Sequence, residues 1–348
     1  MGNQVLIDIM NKNNFDAGTK ARNDVTKILN EQGFQSNVMF NRTHNNIQRT
    51  IELLLALNGI RKKADKGDIC VLQYPYQPKV VRLFLKQSEK LRRKKNIKIL
   101  IIVHDIIYLR NENYVNKSVE KMKKLEVSFF NRCDAVIIHN AAMKKQLISQ
   151  GVTVPLIELE IFDYIYHGTS AFNDDHDKIE VVFAGNLSPE KSGFIYKYKQ
   201  QTEVSFNLYG TKPSDLSSSF TYKGSYPPDQ LIENLTGNYG LVWDGPDDTT
   251  CTGNYGNYLK YNNPHKCSLY IAAELPVIVW NESALAPFVL KNNIGCCISK
   301  LDEIKNLPRV YSEEYQSMLV NVKKWSIKLR NGDMLCAAIN RVKEELEQ

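Results

Sequence analysis

The chain alternates short apolar runs with stretches of helical apolar spacing, and the alternation breaks off once and begins again. Residues 5–9, 68–74, 97–103 and 135–139 have the length and character of strands, with Pro75 stopping the second. Between them, 17–29, 47–57, 80–94 and 118–131 read as helices, the first with Ala21, Val25, Ile28 and Leu29 on one face. Parallel neighbours need long crossovers, and a crossover helix buries the sheet it spans. This order therefore predicts a doubly wound parallel sheet. The pattern restarts at 179–184 and continues through 204–209, 240–243 and 276–280, giving a second α/β domain. A polar stretch without apolar periodicity, 164–178, is the expected linker. The last part, 313–348, is helical except at Asn331-Gly332-Asp333, where Gly can end one helix and Asp cap the next. The expected domains are 1–165 and 166–325, with a helix over 326–348 packing back on the first.

Composition removes several classes. With 348 residues, 43% of them hydrophobic and 24% charged, the chain is neither a small disulfide scaffold nor disordered. The run 99–103 falls far short of the ~20 apolar residues that span a bilayer. The first ten residues lack the basic start and long apolar block of a leader, so a cytoplasmic location is expected. The 7 cysteines show no C-x-x-C spacing, which predicts buried thiols and no metal site. Residues 1–165 hold 27 Lys and Arg against 16 Asp and Glu, a balance of +11, and the remainder holds 18 against 22, a balance of −4. Arg61-Lys62-Lys63 and Arg92-Arg93-Lys94-Lys95 are either solvated helix ends or a surface that contacts a membrane peripherally; nucleic acid is not an expected partner.

In open parallel sheets, ligands bind beyond the carboxyl ends of the strands, where helix N-termini present free N–H groups. After 179–184 comes Gly185-Asn186-Leu187-Ser188-Pro189-Glu190-Lys191-Ser192, with Ser188 placed to cap a helix that Pro189 starts. Lys191 then lies in the first turn, where a cation opposes the helix dipole unless an anion is bound. It is either a phosphate ligand or an exposed lysine in a tight turn. The segment 257–266 repeats the feature: Asn263 caps, Pro264 starts and Lys266 lies in the first turn. One diphosphate would satisfy both lysines. Tyr209 and Tyr226 sit at strand ends, to stack on a base or simply to pack, and Asp244 could accept hydrogen bonds from sugar hydroxyls. No G-x-x-x-x-G-K-[ST] loop and no G-x-G-x-x-G follow the first strand, so nucleoside triphosphate hydrolysis and dinucleotide binding lack their signals. Asp247-Asp248 lies in a polar loop, so no metal is expected on the diphosphate. In the first domain, Asp105 follows the strand 97–103 beside His104 and is a candidate general base or a structural cap. Asp16, in the loop with Gly18 and Thr19, is its rival.

These pieces in this order resemble the two-domain GT-B glycosyltransferases, and within them the bacterial β-1,6-galactofuranosyltransferase-like group that includes glucosyltransferases of serine-rich repeat adhesins. The resemblance rests on Gly18 and Thr19, His104-Asp105 with Leu109-Arg110, the turn 183–187, and Asn263-Pro264-His265-Lys266 leading to Leu275-Pro276-Val277-Ile278. It implies an α/β GT-B fold, two Rossmann-like doubly wound domains facing a cleft, with C-terminal helices. It implies a UDP-sugar donor held in the second domain by Asn186, Lys191, Tyr209, Tyr226, Asn263 and Lys266, with Lys260 a further candidate, and the turns read above add Ser188 and Asp244 to the expected nucleotide-sugar site. The acceptor belongs to the first domain, with Asp16, Gly18 and Thr19 in an acceptor or sugar loop. No cofactor is implied. Lys266 and alanine-rich residues stand where many related enzymes carry E-x7-E, which points to inversion. The implied reaction moves glucose from UDP-glucose to an N-acetylglucosamine on a Ser/Thr-rich glycoprotein, and a homo-oligomer is expected. Transfer to a cell-surface polysaccharide on a lipid carrier is the second reading. A silent glycan-binding subunit is the third, against which the two lysines speak.

Overall fold

The computed structural model describes residues 4–7, 17–38, 46–75, 78–111, 117–170, 178–199, 203–211 and 220–347. The first sheet contains β1 (Gln4–Ile7), β2 (Gln35–Val38), β3 (Ile69–Tyr74), β4 (Lys98–Val103), β5 (Ala135–Ile138) and β6 (Leu156–Glu158). All are parallel, in the order β2-β1-β3-β4-β5-β6. The second contains β7 (Ile179–Gly185), β8 (Val204–Gly210), β9 (Phe220–Gly224), β10 (Tyr239–Val242), β11 (Val277–Trp280) and β12 (Gly295–Ile298). These too are parallel, ordered β12-β11-β10-β7-β8-β9. The strand order reverses between β1 and β3 in the first sheet and between β7 and β10 in the second, and such switch points are where ligand crevices open.

Helices cover the sheets as their apolar spacing requires. In the helix Ala17–Glu31 the four residues Ala21, Val25, Ile28 and Leu29 are all buried. The middle strands β3, β4, β5, β10 and β11 are almost continuously apolar and buried. β2, β6, β9 and β12 were not expected from the sequence. All four are sheet edges, with one fewer neighbour to bury them and correspondingly short or polar sequences.

The described residues form two compact units: β1 with Gly18–Leu159 and 334–347, and Glu160–Asp333 with Ala17. The expected linker is displaced. Tyr164, Ile165 and Tyr166 are buried, and the Tyr164 N–H bonds to the Leu329 carbonyl at 3.0 Å, so the start of that stretch is packed into the second unit. Its polar centre, 171–177, lies outside the described residues. The chain leaves the first unit at Glu160, whose φ of +71° turns it sharply. The helix Glu313–Asn331 belongs to the second unit and ends at Gly332, with φ +81°. Asp333 is the first residue of the helix Asp333–Glu347 rather than its cap, and that helix, from Met334, returns to the first unit. Cys70, Cys133, Cys251 and Cys267 are buried as expected, whereas Cys296, Cys297 and Cys336 are only half-buried. No described helix is long and apolar enough to cross a membrane.

Candidate active site

At the switch point of the second sheet, β7 ends on Gly185 at φ +153°, and the Lys266 side chain lies across it. The Lys266 Cε is 2.8 Å from where a Cβ on residue 185 would stand, so any other residue there would displace the lysine. Lys266 lies in the first turn of the helix His265–Ala272 and is only 7% exposed. Its Nζ is 2.6 Å from the Asp244 carboxylate just beyond β10, and 4.4 Å from the centre of the Phe183 ring. Burial pulls its pKa down, the Asp244 charge opposes that, and the nearby Lys191 ammonium reinforces it. Lys191 is in the short helix Pro189–Ser192, with its Nζ 5.1 Å above the Tyr255 ring. The Gly245 N–H donates to the Lys191 carbonyl at 2.7 Å, tying the turn after β7 to the turn after β10. Two ammonium groups and one carboxylate leave this trio net positive at a strand edge, beside a helix N-terminus. It suits a multiply charged anion.

The other expected residues separate into those near this trio and those with different work. Asn186 accepts the Ser188 N–H at 2.9 Å on its side-chain oxygen, shaping the turn after β7. Ser188 holds the cap position and its carbonyl takes the N–H groups of Lys191 and Ser192, while its hydroxyl makes no cap bond. Asp244, expected to meet sugar hydroxyls, is occupied by Lys266. Asn263 does not cap its helix: Pro264 holds that position, and the Asn263 amide donates to the Glu160 carbonyl at 2.6 Å. Next to it, His265 stacks on Tyr164 with ring centres 5.1 Å apart. Tyr209 is 1% exposed and cannot stack on a base. Its hydroxyl bonds to the Asn234 carbonyl at 2.9 Å and receives the Thr236 N–H at 2.9 Å. Tyr226 is half-buried, its ring 6.3 Å from that of Tyr209. Lys260 turns away to Glu282, at 3.1 Å, and lies over Trp280.

In the first unit the carboxyl ends of β3 and β4 carry a different arrangement. Gln73 is fully buried, and its amide nitrogen donates to the Thr26 hydroxyl at 2.9 Å and the Arg22 carbonyl at 3.2 Å. Its oxygen therefore faces His104 Nε2, 2.7 Å away, and His104 donates there. Arg22 holds the carbonyls of Gln73 and Pro75, each at 3.1 Å. Asp105 is about one-third exposed and pairs with Arg110 at 3.4 Å. Gly18 is exposed and Thr19 half-buried in the first turn of the helix Ala17–Glu31, while Asp16 lies outside the described residues.

Glu126 was not singled out in the sequence. It is fully buried on the helix Lys117–Phe130 and accepts the Tyr74 hydroxyl at 2.7 Å and the N–H groups of Ile107 and Tyr108, both at 2.9 Å. These fasten the chain just after Asp105. Burial raises its pKa to about 7 against the opposing pull of the three hydrogen bonds, and the Asp105 charge raises it further. Its position one turn before Phe129 and Phe130, on the apolar face of the helix, was the available signal. Among the described residues, no group of three or more His, Cys, Asp and Glu side chains gathers as metal ligands would.

The fold is shared with the lipopolysaccharide outer core galactosyltransferase WaaB in its apo form, at a TM-score of 0.58 and 12% identity over 97% of this chain and 99% of that one. The β-1,6-galactofuranosyltransferase WbbI of Escherichia coli K12 is 32% identical over 98% of this chain and 99% of its own length. Glucosyltransferase 3 of Streptococcus gordonii is 26% identical over 90% of each. Fold and relatives together define the class, a glycosyltransferase of GT-B fold. Models of the N-terminal and C-terminal domains of glucosyltransferase 3-like proteins match residues 3–161 and 181–342. The chain belongs to the glucosyltransferase 3-like family.

Proposed function

We propose that the enzyme transfers a hexosyl group from a UDP-sugar to a sugar hydroxyl of a glycan acceptor, with inversion and without a metal ion. The observation that carries this reading is the net positive trio of Lys266, Lys191 and Asp244 at the switch point of the second sheet. In the reaction the acceptor hydroxyl attacks the anomeric carbon as the bond from that carbon to the diphosphate oxygen breaks. UDP leaves with the bonding electrons, and the acceptor proton passes to a base. Lys266, Lys191 and the N–H groups at the start of the helix His265–Ala272 stabilise the charge that develops on the diphosphate. Asp105, at the carboxyl end of β4 in the first unit, is the base. The proposed donor is UDP-glucose and the acceptor an N-acetylglucosamine on a Ser/Thr-rich glycoprotein. The identity of 32% to a galactofuranosyltransferase supports a second reading, UDP-galactofuranose as donor and a cell-surface polysaccharide as acceptor.

Calorimetry with UDP, UDP-glucose and UDP-galactofuranose, followed by turnover of the tightest-binding donor in chelator, tests the proposal. Binding of UDP and of one UDP-sugar, with turnover unchanged by chelation, is expected. Absence of UDP binding, or activity restored only by magnesium or manganese, would overturn the donor site or the metal-free leaving group respectively.

A further inference from the structure

The helix Asn46–Lys63 of the first unit is apolar on two faces, and the sheet accounts for only one of them. Ala56, Leu57 and Ile60 are buried in the unit's core. On the other side Ile51, Leu54 and Leu55 are 51%, 40% and 65% exposed, at the i, i+3, i+4 spacing of one helical stripe. Large exposed apolar residues elsewhere in the described chain do not gather three to a single stripe. Seven residues after Leu54 and Leu55, on the same stripe, stand Arg61 and Lys62, both exposed. The face is thus apolar in its first half and cationic at its end.

A second helix enlarges the cationic end. Lys95, at the end of the helix Pro78–Lys95, donates to the carbonyls of Arg61, at 2.9 Å, and Ala64, at 2.5 Å. That clasp sets the ends of the two helices side by side, so Arg61, Lys62, Lys63 and Lys66 share one edge with Arg93 and Lys94, all of them exposed. Asp65 is the one exposed acid between Arg61 and Lys66. A helix dipole is complemented by one or two cations in the last turn, and these exceed that need. The same edge carries the bond from the Gly67 N–H to the Lys95 carbonyl and from the Lys98 N–H to the Asp68 carbonyl. It is therefore the amino edge of the first sheet, away from the carboxyl ends that hold Gln73, His104 and Asp105.

We propose that this face of the first unit, the stripe Ile51, Leu54 and Leu55 with the cations around Arg61, Lys62 and Lys63, docks on the surface of an anionic lipid bilayer. A helix lying in the interface sinks an apolar stripe into the headgroup boundary and places lysine and arginine among the phosphates. Nucleic acid would use the cations and leave the stripe in water. An acidic protein would not require an apolar stripe leading into the basic patch.

The test is sedimentation of the full-length protein with vesicles of phosphatidylcholine alone and of phosphatidylcholine mixed with phosphatidylglycerol. Binding is expected only to the mixed vesicles, weakening with added salt. Two variants separate the contributions: Leu54→Gln with Leu55→Gln, and Arg61→Gln with Lys62→Gln and Lys63→Gln. Glutamine keeps the helix, circular dichroism checks the fold, and turnover on a soluble acceptor should match the parent. Each variant is expected to lose vesicle affinity by about tenfold or more, given the contribution of each basic residue near such a surface. Failure of the parent protein to bind mixed vesicles, or full retention by either variant, would overturn the proposal. So would a parent dimer that dissociates on Leu54→Gln with Leu55→Gln, because a second copy would then cover the stripe.

Discussion

Two carboxylates, one in each unit, stand buried at carboxyl edges of sheets of the same architecture and are satisfied in opposite ways. Asp244 meets a buried ammonium at 2.6 Å, in a cluster that stays net positive through Lys191. Glu126 meets no cation among the described residues. It is held by a phenol and two backbone N–H groups, and burial lifts it to about 7. The first arrangement leaves the second unit suited to an anion, which on the proposed reading is the diphosphate leaving group. The second holds a loop in place with little net charge, which on the proposed reading would suit a neutral sugar hydroxyl and Asp105 as the base. The same sheet frame is tuned toward its ligand by what faces its buried carboxylate.

Replacement of Asp105 should give the largest effect. If the first unit supplies the base, Asp105→Asn should lower turnover by ~10²–10⁴-fold while UDP affinity in calorimetry stays at the parent value. Loss of UDP affinity instead would move Asp105 to the donor side and erase the division of labour. Next in size is Asp244→Asn, which leaves Lys266 buried without its counter-charge and should cost about 3–5 kcal/mol of stability in denaturant titration. Saturating UDP should recover part of that loss, because the anion takes the place of the carboxylate.

Lys191→Ala comes third. It removes a cation that is only half-buried and has no carboxylate partner among the described residues, so the fold should survive. UDP affinity should weaken by about 1.5–3 kcal/mol in calorimetry. Lys266 is the poorer probe, since its removal would strand Asp244.

The smallest effect belongs to Glu126→Gln. The folded protein binds the Glu126 proton more tightly than the unfolded chain does, so this group's contribution is greatest at low pH. It is lost as pH rises from about 4.5 to about 7. The variant should flatten that slope in thermal unfolding followed across the same pH range. An unchanged slope would show that another group produces it.

The sequence made the eight inner strands legible, because a strand covered on both faces must be apolar along its length, as 99–103 and 277–279 are. The four edges escaped because Gln35-Ser36-Asn37-Val38, for instance, owes its pairing to β1 and not to its own composition. Lys191 and Lys266 stood out since a cation in a helix's first turn breaks a local rule. Their relation to Asp244 did not, because the separation of 22 positions between Asp244 and Lys266 is closed only by the packing of β10 against the helix His265–Ala272. Asn263 illustrates the reverse failure: a good local cap was taken from its helix by a distant carbonyl, that of Glu160. Glu126 reads in isolation as one more solvated charge on a lysine-rich helix, and only the rings of Phe129 and Phe130 beside Tyr74 reveal the dry side it faces.

The helix Asp333–Glu347 gives the chain an unusual order of assembly. Leu335, Ala338, Ile339 and Val342 are buried in it, and Arg341 reaches the Glu158 carbonyl at 2.7 Å, so the first unit is completed by residues synthesised after the entire second unit. Domains ordinarily fold N-terminal first as they emerge, at about 5–20 residues per second. Here the N-terminal unit must wait roughly 10–40 s on that scale, from the emergence of Leu159 to that of Glu347, with part of its core still uncovered. The second unit, which apart from a few residues near the start of the chain is the single stretch Glu160–Asp333, can close in the meantime. During synthesis this glycosyltransferase can therefore close its second unit before its first is complete.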